Sequence, residues 1–210
     1  MALRGDAPYV GFDARDVALG AAGSTFAWRG HTVRLRVPGA HNARNAAAAL
    51  EACALADFAG AGRRFQELGV TRAGARVVDD YAHHPTEVAA TIDAARTQSP
   101  RRVVAVFQPH LYSRTQRLAR EFGAALARAD VAAVLDVYPA RERAEDFAGV
   151  SGLLVAEAAA DAAGGRTVLW LPDFEAAERA LGALLRDGDL CLVLGAGDVD
   201  ELGRRLVSGG

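Results

Sequence analysis

From residue 75 onward the chain alternates between short runs of Val, Leu and Ala and longer stretches with helical periodicity. Apolar runs at 75–80, 102–107, 131–137, 167–171 and 190–194 are nearly continuous in hydrophobic character, as strands covered on both faces are. Between and after them, 85–97, 113–128, 151–163, 173–186 and 199–207 read as helices. Five strand-helix units at this spacing predict a mostly parallel, Rossmann-like α/β sheet with helices on both faces.

The first forty residues follow a different rhythm. Residues 24–28 and 32–37 alternate with a period of two around Arg29-Gly30, a hairpin break. Pro38-Gly39 ends the second strand, and 41–56 is an alanine-rich helix with Asn42 placed to cap it. This opening segment holds few large apolar residues and reads as the tail of something larger.

At 210 residues with 51% hydrophobic residues the chain is long enough for one or two domains. No signal-like segment and no bilayer-spanning run stands out, and Cys53 and Cys191 read as buried thiols in a reducing compartment. A net charge of −2 argues against a nucleic-acid binder. Between Arg63 and Arg120 ten Arg face five acids, whereas from Asp130 onward seven Arg face fifteen acids. A basic middle suits a small anionic ligand or a set of solvated helix faces. All 24 basic residues are Arg, so these residues contain no lysine-bearing phosphate loop.

The polar residues concentrate at strand ends. Val77-Val78-Asp79-Asp80-Tyr81-Ala82-His83-His84-Pro85-Thr86-Glu87 is a strand end, a titratable turn and a helix opened by proline. Ligands in open α/β sheets bind just outside such carboxyl ends. One carboxylate there can accept from a ribose; the histidines can serve proton transfer, substrate orientation or helix capping. Adjacent histidines in a loop point apart and make a poor metal pair. One strand later, Gln108-Pro109-His110-Leu111-Tyr112-Ser113-Arg114 repeats the design, with Ser113 placed as cap and Arg114 opposing the helix dipole unless an anion binds. Paired Arg63-Arg64 can grip a polyphosphate or lie in a solvated linker. His41, Asn42 and Asn45 stand at a helix start, where an anion or a polar ring is favoured. The loop 138–150 is long enough to be functional.

Taken in order, Gly39-x-His41-Asn42-x-x-Asn45, Phe58-x-Gly60-x-x-Arg63-Arg64-Phe65, Asp79 to Glu87, Phe107 to Thr115, Asp136 to Glu142, Gly149-Val150-Ser151-Gly152 and Gly195-Ala196-Gly197-Asp198 resemble the Mur ligase family across about residues 20–207. Within it, the pattern is most similar to the branch that joins L-alanine to UDP-N-acetylmuramate, and Gln108-Pro109-His110 separates it from the murein-peptide recycling branch. The resemblance implies a peptidoglycan-precursor ligase of the cytoplasm that uses ATP and Mg²⁺ to form an amide through an acyl phosphate. By motif position, His41, Asn42 and Asn45 would meet the adenine side, Arg63 and Arg64 the phosphates and Asp80 the nucleotide. His83, His84, His110 and Arg114 would serve the muramoyl carboxylate and the incoming amino acid.

The resemblance further implies that residues 1–66 are the remnant of a central ATP-binding domain and that 67–210 form the carboxyl-terminal domain. The UDP-binding domain, the phosphate loop and the main Mg²⁺ ligands have no counterpart here, which implies a chain inactive alone and a partner carrying the amino-terminal part. A non-catalytic nucleotide-binding or partner-docking module is the reading of a different class.

Overall fold

The structure, a computed structural model, describes residues 15–20, 23–36, 40, 43, 45–47, 50 and 62–209. The chain divides into two compact units, Met1–Ala59 and Gly60–Gly210. In the first, β1 (Arg15–Gly20), β2 (Gly23–Trp28) and β3 (His31–Leu35) form an antiparallel sheet in that order. The β2–β3 hairpin turns at Arg29 and Gly30, both at positive φ (44° and 82°), the backbone a tight two-residue hairpin requires. Residues 40, 43, 45–47 and 50 are helical, and Ala43 and Ala47 pack with Phe26 in a small core. β1 was not expected from the sequence; Cys53, His41, Asn42 and most of the 41–56 helix lie outside the described residues.

The second unit is a six-stranded sheet in the order β4 (Gln66–Val70), β5 (Arg76–Asp80), β9 (Asp189–Leu194), β6 (Arg102–Phe107), β7 (Val131–Leu135) and β8 (Thr167–Leu171). All neighbours are parallel except β4, which pairs antiparallel with β5. Helices α1 (Pro85–Thr97), α2 (Tyr112–Leu126) and α3 (Gly152–Ala162) cover one face; α4 (Phe174–Leu184) and α5 (Val199–Ser208) cover the other. Every residue of β7 and β9 is buried, which accounts for their unbroken apolar runs.

The α/β expectation holds, and each predicted strand and helix of this unit is present with its ends shifted by at most two residues. β4 was missed: Gln66-Glu67-Leu68-Gly69-Val70 lies on the edge, half exposed, with a register break at Gly69 that erases the alternation. Ser113, expected to cap α2, lies inside its first turn. The N-cap is Leu111, held at φ 73° with no side-chain cap of its own.

Sheet order positions the site. β9 returns between β5 and β6; the chain then leaves β9 for one face, while β5 and β6 feed helices on the other. Such a reversal opens a crevice at the carboxyl ends of the central strands. The turns after β5, β9, β6 and β7 all emerge there. The opposite end is clamped by Arg102, which grips buried Asp189 through Nε–Oδ1 (3.0 Å) and Nη2–Oδ2 (2.5 Å).

Candidate functional site

Asp79 and Asp80 end β5, and the fold employs both. Asp80 is 7% exposed; its carboxylate accepts from the backbone N–H of Phe65 (2.8 Å) and Ala82 (2.9 Å) and from Thr91 Oγ1–H (3.3 Å). It therefore fixes the turn that carries the histidines. Asp79 is fully buried and accepts from Arg63 Nε (2.9 Å) and Nη2 (3.4 Å). Arg63 also donates to Gly197 O (2.9 Å) and Gly195 O (2.7 Å) and lies 5.2 Å over the Tyr81 ring. One guanidinium thus ties the chain before β4 to β5 and to the turn after β9. Burial pushes the Asp79 carboxyl above its ordinary value despite the pull of Arg63.

Arg64 is exposed, and its guanidinium lies 5.8 Å from the Tyr81 ring centroid. Of the two arginines expected to meet phosphates, Arg64 is the one presented to solvent. Asn45 is exposed on the helical stretch of the other unit.

The two histidines after β5 diverge. His84 is the N-cap of α1: its Nδ1 accepts from Thr86 N–H (3.4 Å), and Glu87 accepts from the N–H groups of both His83 (3.0 Å) and His84 (3.1 Å). Burial opposes the Glu87 charge, but these donors and the nearby His83 and Arg64 hold its carboxyl below the usual range. His83 turns the other way. Its Nδ1 lies 3.0 Å from Tyr81 O, and since a carbonyl only accepts, that nitrogen is the donor.

His83 meets His110 from the β6 turn edge-on, with ring centroids 6.2 Å apart. His110 in turn stacks on Tyr138 at 5.8 Å and 14°, and its Nδ1 is buried with no hydrogen-bond partner among the described residues. Burial first, then the charges of Arg114 and His83, hold the His110 imidazole below its ordinary value and favour the neutral form. Arg114, in the first turn of α2, donates from Nη1 to His83 O (3.2 Å). Three of the residues expected to serve the substrate, His83, His110 and Arg114, are thus brought together across two strand ends; His84 is not among them.

The turn after β9 closes the floor. Gly195 sits at φ 150°, and a Cβ at Gly197 would lie 2.5 Å from Gln108 Oε1 and 2.6 Å from Tyr138 Cγ, so only glycine lets these three turns meet. Gln108 is 6% exposed, donates from Nε2 to Asp198 (2.8 Å), and keeps Oε1 unpaired among the described residues. Sequence reasoning named neither Asp79 nor Glu142 as site elements. A carboxylate inside an otherwise apolar central strand was the available signal for Asp79, because a buried charge needs a partner. A hollow of about 490 Å³ lies between α2 and α3 beside Ala119, Leu154 and Ala158, lined by none of these groups.

No group of three His, Cys, Asp or Glu among the described residues is arranged to hold a metal. Nor is any helix among them long and apolar enough to cross a membrane.

Residues 63–197 match the family model described as "Mur ligase, glutamate ligase domain". The chain is 51% identical over 191 residues to the UDP-N-acetylmuramate–L-alanine ligase of Mycolicibacterium smegmatis, covering 84% of this chain and 38% of that protein. Against the ligase of the same name from Kineococcus radiotolerans it is 50% identical over 92% of this chain and 44% of that one. The crystal structure of UDP-N-acetylmuramate-alanine ligase from Thermotoga maritima superposes with a TM-score of 0.59 at 24% identity, over 93% of this chain and 45% of that chain. A murein peptide ligase from Psychrobacter arcticus shares the fold at a TM-score of 0.55 and 21% identity. The chain thus spans less than half the length of these relatives.

Proposed function

The chain belongs to the Mur ligase family, and from that premise we propose that it is the carboxyl-terminal part of a cytoplasmic enzyme that joins L-alanine to UDP-N-acetylmuramate. ATP transfers its γ-phosphoryl group to the muramoyl carboxylate, leaving ADP, and the amine of L-alanine then attacks the acyl phosphate, losing a proton and expelling inorganic phosphate to form the amide. The observation that carries this reading is the convergence of His83, His110 and Arg114 at the reversal of strand order, in a chain 45–51% identical to ligases of that name.

The geometry supports roles for His83, His110 and Arg114, and the family resemblance supplies the others. Arg114 offers a cation to a carboxylate or a developing oxyanion. Neutral His110 offers an acceptor for a proton of the incoming amine, and His83 stands edge-on beside it. Arg64, exposed beside Tyr81, is the phosphate contact, while Arg63 holds the wall in shape. Asp80 supports this wall from within, and His84 fixes the start of α1. Asn45, with His41 and Asn42, is assigned to the adenine side, in residues 1–66 read as the remainder of a central ATP-binding domain.

No group of three His, Cys, Asp or Glu among the described residues forms a metal cluster, and none of these steps runs through Mg²⁺. With no lysine for a phosphate loop, these 210 residues supply one wall of a cleft and do not turn over by themselves. The test is ADP release with ATP, Mg²⁺, UDP-N-acetylmuramate and L-alanine. The chain alone is expected to give none, and mixing it with the amino-terminal portion of the Kineococcus ligase is expected to give alanine-dependent release. Release by the chain alone overturns the inactivity. Failure of the mixture, together with no chemical-shift response of His83 or His110 to L-alanine, overturns the ligase reading and leaves a docking module.

A further inference from the structure

The loop between β7 and α3 has no part in the roles above, yet it is fastened to the site at several points. Asp136 closes its base, with Oδ1 accepting from the N–H groups of Val137 and Gly152, both at 2.8 Å. Its first residues bridge to the β6 turn: Leu111 N–H donates to Tyr138 O (3.0 Å) and Tyr138 N–H donates to Pro109 O (2.8 Å). Phe147 stacks on Tyr112 at 5.9 Å and 16°. In the middle, Glu142 accepts from Ser113 N–H (2.9 Å) and Ser113 Oγ–H (2.5 Å).

That last contact has a physical motive. The first turn of a helix exposes unpaired N–H groups and favours a negative charge. A serine or aspartate at the N-cap ordinarily provides the acceptor locally. Here the N-cap is Leu111, which has no side-chain acceptor, so the helix cannot cap itself. Glu142 supplies the carboxylate from a neighbouring loop, across 29 residues of chain. The start of α2 is therefore conditional on the loop being in place. One residue on, Arg114 reaches His83; one residue before Leu111, His110 leans on Tyr138.

We infer that Glu142 is a positioning residue, a latch that pins the β7–α3 loop to the first turn of α2 and thereby holds Arg114 and His110 toward His83. Its consequence for amino-acid binding rests on the proposed function; the latch itself is a property of this chain. The charges around it are Arg141 on its own loop and, across the gap, His110. Burial opposes its charge, but donation from Ser113 and Tyr112 and the presence of Arg141 together keep its carboxyl below the usual range, so the latch is anionic at neutral pH.

The test uses the isotopically labelled chain with Glu142→Gln, Glu142→Asp and Ser113→Ala. In Glu142→Gln and Ser113→Ala the backbone amide of residue 113 is expected to exchange about tenfold faster, and the Arg114 side-chain N–H signal to collapse into the exposed-arginine envelope. Glu142→Asp restores the charge one methylene short and should recover part of both. The His110 titration should move further down in Glu142→Gln, which loses the nearby negative charge, and stay in place in Ser113→Ala. L-alanine affinity, read on the same spectra, should weaken about fivefold in both latch variants, whereas a mere helix cap would lower the unfolding midpoint and leave affinity unchanged. Wild-type Ser113 exchange and Arg114 signal in both variants would overturn the latch. Absence of alanine binding by the wild-type chain would count against the proposed function, with the exchange data still deciding the latch.

Discussion

Removing Arg63 tests whether the site's wall is held by one buried cation. In Arg63→Ala, fully buried Asp79 loses its only charged hydrogen-bond donor among the described residues, and Gly195 O and Gly197 O lose theirs. Breaking one side of a buried pair costs about 3–5 kcal/mol. The Arg63 side chain is 22% exposed, so water enters the vacated space and the expected loss falls to about 2–4 kcal/mol. The pH dependence gives a second handle. Asp79 already has a folded pKa above its unfolded 3.8, so its protonated form is favoured by folding; that contribution is complete below 3.8 and lost as pH rises through the folded value. Without Arg63 the folded value climbs further. The deficit should therefore be larger at pH 7 than near pH 4. Urea unfolding followed by Trp170 fluorescence, in a Trp28→Phe background, measures both quantities on the sheet-bearing unit. A loss below about 0.5 kcal/mol, or one identical at the two pH values, would refute the buried-cation argument. Arg63→Lys should recover only part of the loss, because one ammonium cannot span a carboxylate and two separate carbonyls.

Further outcomes follow from the same geometry. Asp189→Asn should cost about 3 kcal/mol by stranding Arg102, as seen by urea unfolding. Against its burial, Arg102 and Arg186 N–H hold the Asp189 carboxyl below 3.8, so its stabilisation is present above that value and disappears as pH falls through the folded one. Arg114→Ala should raise the His110 titration midpoint toward its ordinary value by removing a repelling charge, measured by NMR of the imidazole protons. Gly152→Ala should destabilise the chain by at least about 1–3 kcal/mol, since its Cβ would sit 1.9 Å from Leu135 O and force α3 off the sheet. Cys191, its thiol pushed up to about 12 by burial, should resist a disulfide reagent in a Cys53→Ser variant until urea unfolds the sheet.

The fold was legible because both faces of the sheet are covered. Residues 131–135 and 190–194 are apolar throughout, and no half-exposed strand reads that way. Where one face meets water the signal weakened, as at β4, whose Gly69 bulge breaks the period. Helix α1 was readable to the residue because Pro85 and the His84/Glu87 capping box are local. The start of α2 was not, because its cap comes from Glu142, which no pattern within α2 announces.

His110 and Arg114 were read singly, whereas the rest of the site was legible as doublets, and backbone geometry explains how each doublet divides. Successive side chains of a strand point to opposite faces, which separates Asp79 from Asp80, while the turn at Arg63 (φ 58°) and the helix start at His84 separate the other two pairs. Asp79 faces Arg63 while Asp80 holds the turn through Phe65 and Ala82. Arg63 turns inward onto carbonyls while Arg64 is left to solvent. His84 caps α1 while His83 faces His110. In the arginine and histidine doublets one member is committed to the fold, and in the aspartate doublet both are. Substitutions at Arg63 or His84 will therefore mimic loss of a substrate contact unless stability and binding are measured together. The discriminating case is Arg64→Ala, which should lower affinity for a polyphosphate anion while leaving the urea midpoint within about 0.5 kcal/mol of wild type. A large loss of stability there would mean that the inward and outward roles of the arginine pair are reversed.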